Sequence, residues 1–387
     1  MSHDRGCPCG RESYEYADCV DTQCFKTNKN KNITRDALVF IGRFQPFHKG
    51  HKAVIDAALD QAKEVVIVVG SSFTARNIRN PFTFFERKAM IEACFTDVKY
   101  FNYEGAQGRI KTPRVHVVPV SDYPLDDSKW VAAIQKIVDE TVPNAKDVGL
   151  IGHSKDSTSY YLNIFPRWKN HVEVANIDGI NATDIRKVIL TPMDYTDFEE
   201  LDYVMPKAAL ALMSGLLNKP EFKVIRAEYE MVKKYKEAWK AAPYAPTFVT
   251  TDAVVEQSGH VLLIERGHAP GKGLWALPGG FLNQNEAIED GMIRELREET
   301  RIKLQPQVLR GSIVSHKVVD NPERDPRGRT ITHAFHIKLK DQQDLPHVRG
   351  SDDAAKARWF TLSEILKMRD CFFNDHFHIL AHFLKIG

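Results

Sequence analysis

Residues 274–300 read LWALPGGFLNQNEAIEDGMIRELREET, and the run Arg294-Glu295-Leu296-Arg297-Glu298-Glu299 within them decides how the C-terminal half folds. At about 100° per residue, Ile288, Met292 and Leu296 form one apolar stripe of a helix. Glu299 falls inside the arc of that stripe, Glu295 lies at its edge and Glu298 beside Glu295. Glu286, Asp290, Arg294 and Arg297 cluster on the opposite side, where solvent is expected. Carboxylates set against a buried seam cost free energy unless a cation neutralises them. Hard divalent ions such as magnesium do so with oxygen ligands. The phase therefore points to a metal site rather than a solvated, salt-bridged face.

The surrounding spacing is Gly280, five residues, Glu286, seven residues, then Arg294-Glu295-Leu296-Arg297-Glu298-Glu299. This resembles the Nudix box, G-x5-E-x7-R-E-U-x-E-E-x-G-U, with U a bulky apolar residue. The resemblance implies that Glu295, Glu298 and Glu299 hold divalent ions (magnesium or manganese), with the Gly280 carbonyl as a further ligand. Glu298 and Glu299 would then be catalytic. Glu286 is expected to be a structural partner of an arginine such as Arg294. One position departs: Arg301 stands where the box has glycine, ahead of the expected apolar Ile302. That glycine usually ends the helix with positive φ, where another residue costs on the order of 1 kcal/mol. Downstream, VVDNPERDPRGRTITHAF (residues 318–335) resembles a segment of ADP-ribose pyrophosphatases. By that resemblance Arg324, Asp325 and Arg327 would contact a terminal phosphate or the diphosphate. Trp275 is read as core rather than as an adenine platform.

Working outward, residues 248–257, 260–266 and 331–339 alternate as strands do and surround the single strong helix, giving a mixed α/β sandwich. A charged helix from Pro220 to about Ala242 precedes them and is broken by the prolines of PYAPTFV. Further upstream the pattern changes. Ala37–Phe44 and Glu64–Gly70 are continuous apolar runs, as in strands buried on both faces, with a helical stretch from about Lys49 to Gln61 between them. Strand, helix and strand in that order indicate a parallel α/β sheet. RVHVVPV and DVGLIG continue the alternation, and no internal repeat is present.

The loop after the first strand is GRFQPFHKGH, Gly42 to His51. Its histidines fall three residues apart at a helix start, where free N–H groups and the helix dipole favour phosphate. The loop resembles the H-x-G-H signature of the nucleotidyltransferase superfamily. GSSFTARNIRNPFTFFER (residues 70–87), SDYPLDDSKWV (residues 121–131) and NATDIR (residues 181–186) are similar to further motifs of archaeal-type nicotinamide mononucleotide (NMN) adenylyltransferases. The resemblance covers about Ala37 to Lys207 and implies a Rossmann-like domain that binds ATP and NMN with magnesium. It places His48 and His51 on the ATP phosphates, with His51 stabilising charge at the α-phosphorus. Gly42, Arg43, Phe44, Arg79 and Thr183 would bind nucleotide, and Arg186 would join Arg79 in clamping phosphates. Trp130 would stack on the nicotinamide ring and Asp122 would orient the mononucleotide. Arg87 is read as structural.

A chain of 387 residues accommodates this plan as 1–35 extension, 36–219 nucleotidyltransferase, 220–246 connector and 247–387 Nudix domain. Net charge of +2 with 27% charged residues leaves no electrostatic footprint for nucleic acid. No apolar run reaches the roughly 20 residues of a membrane span, and no secretion signal is visible, so a cytoplasmic protein is expected. Four of the six cysteines (Cys7, Cys9, Cys19, Cys24) lie in the first 24 residues. CPCGRESYEYADC resembles the zinc-binding SEC-C motif with its last ligand displaced; the alternatives are a thiolate zinc site and a reduced tail. The expectation is thus a bifunctional enzyme of NAD metabolism, joining NAD synthesis from ATP and NMN to ADP-ribose hydrolysis. A nucleotide-sensing regulator with a non-hydrolytic Nudix domain, or a transferase with another substrate, are the rivals. A homo-oligomer is left open.

Overall fold

The computed structural model describes residues 33–95, 100–105, 108–153, 164–168, 171–174, 179–193 and 195–386. The cysteine-rich extension, and most of the loop after Gly152, lie outside the described residues.

The first half opens with β1 (Arg35–Gly42), α1 (Lys49–Gln61), β2 (Ala62–Val69) and α2 (Phe84–Glu92). The hairpin β3 (Tyr100–Gly105) and β4 (Gly108–Pro113) follows, then β5 (Val115–Pro119), α3 (Asp127–Thr141), β6 (Val148–Gly152) and β7 (His171–Glu173). Helices α4 (Ala182–Leu190), α5 (Tyr195–Val204), α6 (Lys207–Leu217) and α7 (Pro220–Ala238) complete it. The five-stranded sheet runs β5-β2-β1-β6-β7, parallel throughout. Alternate residues of β1 feed two cores: Leu38 and Phe40 on one face, Ala37, Val39 and Ile41 on the other. That is why the run is apolar without a break. Pairing places β1 at Arg35–Gly42, two residues earlier than the apolar run suggested, so Arg43 and Phe44 belong to the loop.

The second half contains β8 (Thr247–Gln257), β9 (His260–Arg266), β10 (Trp275–Ala276), β11 (Gly279–Phe281), α8 (Ile288–Thr300) and α9 (Pro306–Gly311). It continues with β12 (Ile313–Val319), β13 (Arg329–Lys338), β14 (Ala354–Thr361), α10 (Leu362–Lys367) and α11 (His376–Leu384). Its seven strands form a mixed sheet, β10-β9-β8-β13-β12, with β11 on β8 and β14 on β9. Helix α8 packs Met292, Ile293 and Leu296 against Val255 and Ile337 of that sheet.

Helix α7, expected as a connector, is built into both halves. Phe222 and Ile225 are buried in the first core, Phe222 with its ring 5.3 Å from Phe82. One turn on, buried Glu228 accepts a 2.7 Å hydrogen bond from the Gly271 N–H of the second half. Gly271 has φ +76°, and a Cβ there would lie 2.3 Å from Phe373, so the approach requires glycine. Tyr235 and Trp239 then meet the Phe248 ring at 5.8 and 5.4 Å. Among the described residues no helix is long and apolar enough to cross a membrane.

Candidate active sites

The first site grows from the turn between β1 and α1. At Gly42 a Cβ would press on the Phe44 ring at 2.9 Å, so the strand can end this way only with glycine. Phe44 takes a left-handed φ of 52° and is 1% exposed, its ring edge-on to Phe40 at 5.2 Å and to His51 at 4.9 Å. This corrects the expectation for Phe44: its side chain shapes the loop from within and has no surface left for a nucleotide. Gln45, also buried, donates to the Phe82 carbonyl at 2.8 Å and accepts from the Phe82 N–H at 3.0 Å, tying the loop to the approach of α2.

His48 is the N-cap of α1. Its Nδ1 accepts from the His51 N–H and the His51 Nδ1 accepts from the His48 N–H, both at 3.4 Å, a capping box made of imidazoles. The rings stack with centroids 3.6 Å apart. With both Nδ1 atoms accepting, each neutral ring carries its proton on Nε2. Both histidines can thus donate a hydrogen bond while the helix stays capped.

Arginines surround this turn. Arg186, at the start of α4, donates to the Gln45 carbonyl at 2.9 Å and to Thr183 Oγ1 at 3.1 Å. Burial, reinforced by the nearby charges of Arg43 and Arg79, brings its pKa down to about 10. Arg79 is lowered for the same leading reason, burial, with Arg43 adding to it and Glu323 opposing. Three guanidinium groups repel one another here, with Glu323 offsetting them in part, an arrangement chemically suited to a polyphosphate.

Arg87 is completely buried and lies behind this group. It donates to the carbonyls of Arg43 (2.7 Å), Gly70 (2.7 Å), Ser71 (3.0 Å) and Thr83 (3.2 Å), the structural part expected of it. Asp122 Oδ1 accepts from the Ser71 N–H at 3.0 Å, and half-buried Trp130 sets its ring 5.9 Å from Phe165. Arg43, Arg79, Asp122 and Trp130 line one cavity of about 420 Å³. His48, His51, Thr183 and Arg186 do not line it; they stand at the N-termini of α1 and α4.

The second site lies on α8. Glu299 is 5% exposed and accepts a 2.8 Å hydrogen bond from the Gly279 N–H. Burial pushes its carboxyl up to about 8, with Glu295 also raising it. Glu295 is raised by burial as well. At Gly280 a Cβ would come within 2.6 Å of Glu295 Oε1, so any larger residue would push this carboxylate aside. Arg294 spans the edge of the group, its Nη1 at 2.9 Å from Glu295 and 3.0 Å from Glu298. Its other nitrogens hold Glu286 at 2.9 and 2.6 Å, which brings the Glu286 carboxyl down to about 2. The helix begins at Ile288, so Glu286 reaches Arg294 from the preceding turn rather than from the helix surface.

Among the described residues no three acidic, histidine or cysteine side chains converge as a ready-made metal cage. Arg294 instead bridges Glu286, Glu295 and Glu298 with its guanidinium. A divalent ion fits these residues: burial raises the Glu299 carboxyl more than the charge of Arg266 lowers it, Glu295 lies close enough to raise it further, and Gly280 packs on Glu295. Arg301 ends α8 with φ 52° and ψ 25°, the conformation the box reserves for glycine. Its N–H bonds the Arg297 carbonyl at 3.0 Å and its Nε the Ser351 hydroxyl at 2.8 Å, which offsets part of the cost.

The residues between β12 and β13 differ from the expectation of free phosphate ligands. Arg324 is held bidentately by Asp375 at 2.9 and 2.8 Å, with its side chain 6% exposed. Arg327 is paired with Asp325 at 3.1 and 2.8 Å and lies 4.9 Å over the Phe281 ring, next to Gly280. Trp275 packs edge-on to Phe360 at 4.6 Å, consistent with core. Sequence reading missed Asp375, Asp252 and His376. Asp252 accepts from Thr332 at 2.5 Å, and His376 accepts the Leu277 N–H at 3.1 Å. Burial brings the His376 pKa down to about 3, so the ring is neutral. Asp252 comes from β8 and Asp375 with His376 from the start of α11, far apart in the chain and without a local motif.

Comparison with known proteins covers both halves. Residues 39–188 match the cytidylyltransferase-like family and residues 246–383 the NUDIX domain. A nicotinamide/nicotinic acid mononucleotide adenylyltransferase of Acinetobacter baylyi is 35% identical over 195 residues, 50% of this chain and 93% of that protein. An ADP-ribose pyrophosphatase of Methanocaldococcus jannaschii is 31% identical over 160 residues, 41% of this chain and 86% of that protein. A crystal structure of a bifunctional NMN adenylyltransferase/ADP ribose pyrophosphatase from Francisella tularensis, complexed with AMP and a manganese ion, is 35% identical. It superposes with a TM-score of 0.80, covering 91% of this chain and 99% of that one.

Proposed function

Because the chain belongs to the family of bifunctional NMN adenylyltransferase/ADP ribose pyrophosphatases, we propose how each half performs its reaction. The first half transfers AMP from ATP to NMN, giving NAD and pyrophosphate. The second hydrolyses ADP-ribose to AMP and ribose 5-phosphate.

In the first reaction an NMN phosphate oxygen attacks the α-phosphorus of ATP in line. The bond to the bridging oxygen breaks and pyrophosphate leaves. No side chain needs to become a nucleophile, so positioning and charge do most of the work. The Nε2–H groups of His48 and His51 donate to phosphoryl oxygens, and the N-terminus of α1 adds its free N–H groups. Arg43, Arg79 and Arg186 hold the phosphates, Trp130 stacks on the nicotinamide ring and Asp122 orients the mononucleotide. Bound magnesium or manganese neutralises further phosphate charge.

In the second site Glu295, Glu298, Glu299 and the Gly280 carbonyl would hold the divalent ion, which would supply polarisation of a diphosphate oxygen and a more acidic water. Arg294 would yield its contacts with Glu295 and Glu298 to the ion while its two bonds to Glu286 keep it in place. Arg327, over Phe281, flanks the place where a diphosphate would lie.

The observation that carries the reading is the conjunction of a cation-rich, histidine-capped turn with a helix whose buried Glu299 carboxyl is raised by burial beside Glu295. The test is incubation of the whole protein with ATP, NMN, ADP-ribose and magnesium, followed by product identification. NAD with pyrophosphate, and AMP with ribose 5-phosphate, are expected. No NAD, or intact ADP-ribose, would refute the corresponding half.

A further inference from the structure

The cavity holding Arg43, Arg79, Asp122 and Trp130 has a second wall, and it belongs to the Nudix domain. Asn321 and Glu323, between β12 and β13, and Asn374 and His378, around the start of α11, face into the same 420 Å³. That volume lies in the range of small-ligand pockets, about 300–1,000 Å³. The Glu323 carboxylate approaches the Arg79 guanidinium to 3.7 Å, although its side chain is 69% exposed while that of Arg79 is 32% exposed. The loop carrying Glu323 is held firmly. Arg324 next to it is locked on Asp375, and Arg327 is locked on Asp325 against Phe281. Glu323 is therefore presented across the domain boundary by a rigid base, with its carboxylate on a guanidinium that a phosphate would otherwise occupy.

We propose that the mononucleotide pocket is a composite of both domains, in which Glu323 of the Nudix domain is a specificity-determining residue that competes with the substrate phosphate for Arg79. The inference rests on the assignment of Trp130 and Asp122 to the mononucleotide made above, and on Arg79 lining the same cavity, where its guanidinium would meet the phosphate of that ligand. A dianionic phosphate displaces the single carboxylate, which swings into solvent, while Asn321 and Asn374 offer amides to the hydroxyl and carboxamide groups of the incoming ligand. Ligands lacking a phosphate leave the Arg79–Glu323 pair closed.

The test is a double-mutant cycle in the full-length protein. Glu323→Gln should lower the KM for NMN about two- to five-fold, the range of an exposed ion pair, with kcat and ADP-ribose hydrolysis within twofold of wild type. In an Arg79→Ala background the same substitution should leave KM unchanged. An unchanged KM for Glu323→Gln alone, or an equal shift in both backgrounds, overturns the proposal while leaving the pocket assignment intact. If Arg79→Ala alone leaves the KM for NMN unaltered, the assignment of the cavity falls and the proposal falls with it.

Discussion

Arg87 allows the first site to be tested through its foundations. Replacing it with methionine keeps an extended side chain and removes four hydrogen bonds from a completely buried group. The four acceptors do not suffer equally. The Ser71 carbonyl also receives the Thr74 hydroxyl at 3.1 Å, and the Thr83 carbonyl receives the Arg87 N–H at 3.1 Å, which the variant retains. The carbonyls of Arg43 and Gly70 lose the donor described for them. Each stranded carbonyl costs about 1–3 kcal/mol. Against this stands the relief of burying a cation, the cause that brings the Arg87 pKa down to about 10. Loss of the donors should win, because the acceptors lie in tight turns that cannot re-pair locally. A net destabilisation of about 2–4 kcal/mol is expected, or a fall in Tm of roughly 4–16 °C for a domain of this size. The assay is thermal unfolding of the full chain by circular dichroism, with KM for ATP and NMN measured below the transition. Both KM values should rise, because the turns carrying Arg43 and Ser71 lose their common anchor. A Tm within 2 °C of wild type together with unchanged KM values would refute the reasoning.

Glu299→Gln should lower magnesium-dependent ADP-ribose hydrolysis at least about 100-fold while sparing NAD synthesis; equal loss of both activities in product assays would sink the two-site model. His51→Ala should do the reverse, cutting NAD formation by about 100- to 1,000-fold, and a residual rate within tenfold of wild type would count against its place on the phosphates. Arg301→Gly removes a left-handed non-glycine residue and the Ser351 hydrogen bond together, so a stabilisation of no more than about 1 kcal/mol is expected by urea unfolding. A loss of more than 1 kcal/mol would show that the Ser351 contact outweighs the strain.

Periodicity and local chemistry made much of this legible. Helix α1 runs from Lys49 to Gln61 as expected, because its start is signalled by His48 and its end by the return to a strand pattern. The burial of Glu299 follows from phase, which a single helix preserves, whereas Glu286 meets Arg294 from the turn before that helix, which phase does not describe. Phe44 was misjudged since nothing local tells an inward ring from an outward one in a loop. Helix α7 reads as a connector because its apolar positions are sparse; Phe222 and Ile225 serve the first core, while Glu228 and Tyr235 turn to the second half. Arg324 looked free for a ligand because its partner, Asp375, arrives from α11's N-cap position, far along the chain. The opposition of Glu323 to Arg79 has the same character: only the docking of one domain on the other creates it.

Helix α7 has a practical consequence for anyone wishing to study the two activities apart. No peptide bond between Pro220 and Phe248 divides the chain without injury. A break before Pro220 withdraws Phe222 and Ile225 from the first core and leaves an apolar hole. A break after Ala238 strands Glu228 without the Gly271 N–H and strips Phe248 of Tyr235. Either half made alone would carry a raw hydrophobic scar, so low solubility of a severed half would speak of the cut and not of its chemistry.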